Sequence, residues 1–224
     1  MISYQHLSEL KQLYIKRALG TVFVDPVSIE SSNEEEKASL PENISALHKV
    51  IAQCHLCDLC KTRSKVQVHV GHPTSGVMIV SDFPTPAEDS EGAYSAKAGK
   101  MLKLMIEKVL ELPIEDVYFT HLVKCLPPSG KEPTRSEVLS CTPFINQQIE
   151  LLSPKLIIAL GDETYRNLTH SKESFDQIHG IITPFNGYKI VAIHHPKVVV
   201  RNPTALKPIV FNDLKTIKSF LCEN

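Results

Sequence analysis

Cys54 and Cys57 form a C-x2-C pair, and Cys125 and Cys141 follow much later in the chain, sixteen positions apart. Two cysteines spaced by two residues reach one metal centre from a single turn, and a second pair can close the site. Four thiolates suit zinc or an iron–sulfur cluster, and spacing alone does not choose between them. Cys60 extends the first pair to C-x2-C-x2-C, whereas Cys222 lies near the C-terminus as a bystander. The other candidates for chemistry are polar residues in proline-containing stretches: Asp82–Asp89, His121–Pro128 and His194–Pro203. They carry carboxylates, histidines able to exchange protons near neutrality, and the cations Lys124, Lys197 and Arg201.

These residues must be positioned by the elements around them. Short apolar runs at Val77–Val80, Val117–Val123, Leu156–Leu160 and Tyr188–Ile193 predict four strands, the last preceded by a tight hairpin at Asn186-Gly187. Between them, apolar residues recur at helical spacing over Gly99–Leu110 and Leu206–Leu221. Thr134-Arg-Ser-Glu137 reads as a capping box opening a helix that carries Cys141 and Ile145. Strands apolar on both faces and alternating with helices predict an α/β fold whose parallel sheet is covered on both sides. Ligands of such sheets bind beyond the carboxyl ends of the strands, the edge that the three polar loops would share. Upstream, residues 1–20 read as a helix with Leu7, Leu10, Leu13 and Tyr14 on one side, and residues 21–43 as an acidic, solvated linker. The main domain would span residues 44–224.

The 224 residues are 42% hydrophobic and 22% charged, which excludes a wholly disordered or collagenous chain. No apolar run reaches the length of a membrane span, and the charged N-terminus is unlike a secretory signal. An intracellular, cytoplasmic protein is therefore expected, with reduced cysteines available for metal or redox chemistry. The net charge of -1 conceals an uneven distribution: residues 25–43 hold six acids and one base, leaving 19 acids against 23 bases elsewhere. That basic remainder permits a nucleic-acid partner.

Several motifs appear in order: Cys54-x2-Cys57-x-Leu59 with Thr62-Arg63; Ala98-Gly99; Thr120-x3-Lys124-Cys125-x-Pro127-Pro128; Cys141; Gln148-Ile149-Glu150; Pro154-Lys155; Leu160-Gly161; and His195-Pro196-x4-Arg201-Asn202-Pro203. Over residues 44–221 this set resembles the family 4 uracil-DNA glycosylases, the iron–sulfur branch of their superfamily. The resemblance implies a three-layer α/β/α sandwich around a four-stranded parallel sheet, and a [4Fe–4S] cluster held by Cys54, Cys57, Cys125 and Cys141. It implies hydrolysis of the N-glycosidic bond of a flipped uracil or related damaged base in DNA. His195 aligns with the catalytic histidine, Tyr94 with the aromatic residue that stacks on uracil, and Asp82 with a glutamate after the first strand. Phe83 falls where the family carries a small residue, and His121 where it carries a uracil-reading asparagine. Lys97, Lys124, Lys197 and Arg201 would contact phosphates of single- or double-stranded DNA. The resemblance places such an enzyme at the nucleoid, and a monomer is expected. Two other readings share these residues: a catalytically inactive iron–sulfur DNA-binding module of the same fold, and a zinc-stabilised binding protein.

Overall fold

The computed structural model describes residues 40–223; the expected helix 1–20 and nearly all of the acidic linker lie outside the described residues. The described part opens with α1 (Ile44–Ala52), whose first turn is capped by the Asn43 side chain accepting from the Ser45 and Ala46 N–H groups. The elements then run β1 (Val77–Ser81), α2 (Pro86–Glu91), α3 (Lys97–Leu104), β2 (Tyr118–His121), α4 (Arg135–Leu152), β3 (Leu156–Leu160) and α5 (Asp162–Thr169). They finish with α6 (Phe175–Ile178), β4 (Thr183–Phe185), β5 (Tyr188–Ile193), α7 (Pro196–Arg201) and α8 (Pro203–Glu223). A π-helical turn, Met105–Leu110, prolongs α3.

The sheet order is β2-β1-β3-β5-β4. The four expected strands are all parallel neighbours, and β4 adds a fifth, antiparallel strand on the β5 edge. This short strand escapes periodicity because it has three residues and contains Pro184, which an edge strand tolerates. The Asn186-Gly187 turn joins it to β5, with both residues at positive φ.

Alternate strand residues feed two cores. Val77, Ile79, Phe119, Ile158, Val191 and Ile193 pack with Leu102, Ile106, Val210, Leu214 and Ile217 from α3, its π turn and α8. Met78, Val80, Tyr118, Ile157, Ala159 and Ala192 pack on the opposite face with Ile145, Ile149, Tyr165 and Leu168 from α4 and α5. The result is the expected three-layer α/β/α sandwich. The capping box at the head of α4 is complete, with the Glu137 N–H donating to Thr134 and the Thr134 N–H donating to Glu137. From β1 the chain crosses to β2 on one side, and from β3 it crosses to β5 on the other. The carboxyl ends of β1 and β3 thus flank the point where the winding reverses, the place where such sheets open a crevice.

Candidate active site

Asp82 directly follows β1 at this crevice. Its carboxylate accepts from the Phe83 N–H (2.7 Å) and the Ser81 hydroxyl (3.1 Å), and Lys197 Nζ donates to both its oxygens (3.1 and 3.2 Å). Burial works against the charge. The hydrogen bond of His195, together with the charge of Lys197 and the Phe83 N–H, prevails and holds the Asp82 carboxyl well below the usual carboxylate range.

His195 follows β5 and caps α7. Its Nδ1 accepts the Lys197 N–H at 3.0 Å, so that nitrogen carries no proton and the remaining proton of the neutral ring sits on Nε2. Nε2 lies 3.0 Å from Ser81 Oγ and 3.4 Å from Asp82 Oδ1. Opposite stands Gly161 at the end of β3, where a Cβ would come within 3.3 Å of the His195 Cβ. The helix start that follows β5 therefore selects the tautomer, and β3 leaves room for the ring.

His121 ends β2 beside Ser81 in the parallel register. It is 3% exposed, its edge meets the Phe119 ring at 5.0 Å, and its Nδ1 has no partner. Burial pushes its pKa down to about 3, aided by Lys124, Lys197 and His195 and opposed by Asp82. Tyr94 takes a left-handed backbone (φ 68°), with its ring 5.5 Å from Phe119 and its hydroxyl buried without a partner. Burial, with Glu88 nearby, keeps that hydroxyl protonated. A Cβ at Gly99 would fall 2.4 Å from Tyr94 Cα, so the Ala98-Gly99 motif has a physical cause: α3 passes against the Tyr94 backbone.

Two spaces border His195. A cleft of about 480 Å³ is lined by Asp82, Phe83, Gly161, Glu163, Lys197 and Arg201, among others. Deeper in, between Ser81, Gly99, Phe119 and His195, the free volume is about 10 Å³.

The cysteines converge on a layer beside the site. Cys125 and Cys141 are buried with Leu59 and Val123, and Cys57 and Phe83 pack on that layer. Cys54 lies against the adjoining cluster of Leu47, Ile51 and Phe144. Burial pushes the Cys125 thiol up to about 11, against a hydrogen bond from Arg63 Nη1 at 3.6 Å. Burial likewise raises Cys57 and Cys141, and each of these thiols feels the charge of others in the set. Among the described residues, no group of three or more His, Cys, Asp or Glu side chains has the spacing of a single-ion site.

The family model of the uracil DNA glycosylase superfamily matches residues 68–215. The chain belongs to this superfamily. It is 31% identical over 189 residues to a type-4 uracil-DNA glycosylase of Saccharolobus solfataricus, covering 80% of this chain and 87% of that protein. Identity to a type-4 uracil-DNA glycosylase of Thermotoga maritima is 31%, over 76% of this chain and 91% of the relative. A 152-residue stretch is 29% identical to a DNA polymerase of Bacillus phage SP01, of which it covers 16%.

Within this uracil DNA glycosylase fold, Asp82, Phe83, His195, Lys197 and Arg201 meet at one cleft, and His121 and Tyr94 lie behind it in contact with Phe119. Lys124 corrects its expected role. It is 1% exposed, and its Nζ donates to Thr120 Oγ1 (2.8 Å), the His121 carbonyl (2.6 Å) and Gln148 Oε1 (2.7 Å). All three ammonium protons are used inside the fold, as a buried charge requires, so Lys124 does not contact phosphates. Lys197 is turned towards Asp82, whereas Lys97 and Arg201 are exposed. Ser81 is a site residue that the sequence reading passed over, its only signal being its place at the end of an apolar run; Gly161 entered there only within the Leu160-Gly161 motif, without a role at the site. The Thr85–Glu88 capping box, which fixes the loop after Asp82, was legible as Thr-x-x-Glu.

Proposed function

We propose that this protein is a DNA glycosylase that hydrolyses the N-glycosidic bond of an everted uracil or related damaged base. Cleavage leaves negative charge on the departing base and positive charge on the sugar. His195 Nε2–H is a fixed donor for the base oxygen, and the ionised Asp82 carboxylate faces the developing positive charge. Donors positioned before the reaction need no reorganisation as the charge develops. Tyr94 offers an aromatic face, and His121 reads the base edge as a neutral ring. Lys97 and Arg201 are available for phosphates. On this reading the protein works on cellular DNA as a monomer. Among the described residues no helix is long and apolar enough to cross a membrane.

The observation that carries this reading is the His195 tautomer, set by the Lys197 N–H at the point where the sheet's winding reverses. The test is alkaline cleavage of uracil-containing oligonucleotides after incubation with the protein. Strand breaks that vanish in His195→Ala are expected; breaks that survive the substitution overturn the role of the ring. Single-stranded and mismatched substrates should be cut faster, because everting the base costs less there.

Cys54, Cys57, Cys125 and Cys141 would hold a [4Fe–4S] cluster that ties the loops around Cys54 and Cys125 to α4 and takes no part in bond cleavage. A brown, iron- and sulfide-containing preparation is expected from anaerobic purification. A colourless protein with stoichiometric zinc would overturn the cluster.

One observation favours a second reading, a DNA-binding module without glycosylase activity. The volume of about 10 Å³ behind His195, bounded by Ser81, Gly99, Leu102, Phe119 and Leu160 among others, is too small for a base unless that lining moves. Absence of cleavage on every lesion, with DNA binding retained, would select this reading.

A further inference from the structure

Lys197 places an amine in the cleft that base excision does not use. Its Nζ is held 3.1 and 3.2 Å from the two Asp82 oxygens and 4.6 Å above the Phe83 ring, while the side chain remains 25% exposed to the cleft. Most surface lysines sample many positions; this one is anchored on two sides. Lys124 is sealed in the interior, and the guanidinium of Arg201 stays charged and is no nucleophile. Asp82 Oδ1 is in turn 3.4 Å from His195 Nε2, the proposed contact to the departing base. The sugar carbon released from the base would therefore lie beside the amine. That carbon belongs to an abasic deoxyribose, whose ring-opened form is an aldehyde, and amines condense with aldehydes.

We propose that Lys197 gives this site a second activity, that of an abasic-site lyase. The inference rests on the glycosylase reading for the presence of DNA in the cleft and for the placing of C1′ beside Lys197. The ammonium first releases a proton to water. The free amine then adds to C1′ of the aldehyde, and loss of water with uptake of one proton from solvent leaves a protonated imine between Nζ and C1′. The imine acidifies the C2′ proton, which passes to the Asp82 carboxylate. The C2′–H electron pair forms the C2′–C3′ double bond, the C3′–O bond breaks, and the 3′ phosphate departs with its electron pair. Water hydrolyses the imine, freeing Lys197 and an unsaturated aldehyde on the 5′ fragment. No oxidant or reductant enters the cycle.

The experiment uses the full chain and an oligonucleotide with a preformed abasic site, so base excision is not required. Sodium borohydride reduces the imine to a stable amine, and digestion with mass spectrometry locates the adduct. The wild-type protein should give a covalent adduct on Lys197, and strand cleavage without alkali. Lys197→Arg, which keeps a cation on Asp82, and Lys197→Gln should both lose them while remaining folded by circular dichroism. An adduct of unchanged yield in either variant overturns the proposal. Binding is measured in parallel on a tetrahydrofuran analogue that has no aldehyde. Wild-type binding to the analogue without any adduct overturns the lyase alone, whereas absence of binding overturns the lyase and the DNA reading together.

Discussion

Asp82 and His121 stand at the carboxyl ends of two hydrogen-bonded neighbours, β1 and β2, yet the fold treats their ionisable groups in opposite ways. Asp82 is surrounded by donors, Lys197, Ser81, His195 and the Phe83 N–H, and stays charged. His121 lies one strand over, against Phe119 and without a partner for Nδ1, and stays neutral. At neutral pH a free carboxyl is already charged and a free imidazole mostly neutral, and the fold widens that gap by lowering both pKa values. The cause is access: Asp82 lines the cleft among its donors, whereas His121 is buried against Phe119. The same reaction can use both states, one to face positive charge and the other to present an uncharged hydrogen-bonding edge.

The largest effect is expected at the histidine beside Asp82. His195→Ala removes the fixed donor and should lower the excision rate by about 100- to 1,000-fold in the oligonucleotide assay. Next comes Asp82→Asn, which leaves Lys197 without its counter-charge and should cost about 1–3 kcal/mol. In a domain of this size each kcal/mol is about 2–4 °C of melting temperature. Because the folded pKa of Asp82 lies below its ordinary value of 3.8, its contribution is present above that pH and is lost as the pH falls through the folded value. The difference in melting temperature between wild type and variant should therefore persist at neutral pH and close below pH 3.8; a constant difference would break the assignment.

His121 should show a different acid limb. Its pKa falls from 6.5 to about 3 on folding, so between those values the unfolded chain binds the extra proton and stability declines as the pH drops. The slope should approach about 1.4 kcal/mol per pH unit. His121→Asn should remove that limb, measured by denaturant midpoints at pH 7.5 and 5.5, and an unchanged limb would show that the ring is not buried neutral. The smallest effect is expected for Phe83→Ala, which deletes the ring under Lys197 and should cost about 0.5–1 kcal/mol of stability. Excision should rise in this variant if the ring crowds the attacking water; an equal or lower rate would count against crowding.

Much of the frame was legible before any coordinates. Four strands, the Thr134 capping box and the long C-terminal helix follow from local patterns, because apolar periodicity reports which faces are buried whatever the partner. The β4 strand was not legible, since three residues including Pro184 carry no period. The cleft residues were legible only as members of loops that a parallel sheet brings to one edge. Lys124 shows where this reasoning fails. A lysine after a strand, in a polar proline-containing stretch, looks like a phosphate contact, and nothing local reveals that Thr120, Gln148 and the His121 carbonyl enclose it.

The amino-acid order by itself determined the layers, the edge that carries the chemistry and the thiols that could share a metal centre, because these depend on periodicity, spacing and residue type. The tertiary structure alone decided the protonation states and partnerships: the His195 tautomer, the charged Asp82, the neutral His121 and the inward Lys124. The physical reason is that desolvation and hydrogen bonding are set by atoms brought together from distant segments, and such neighbours have no signature along the chain.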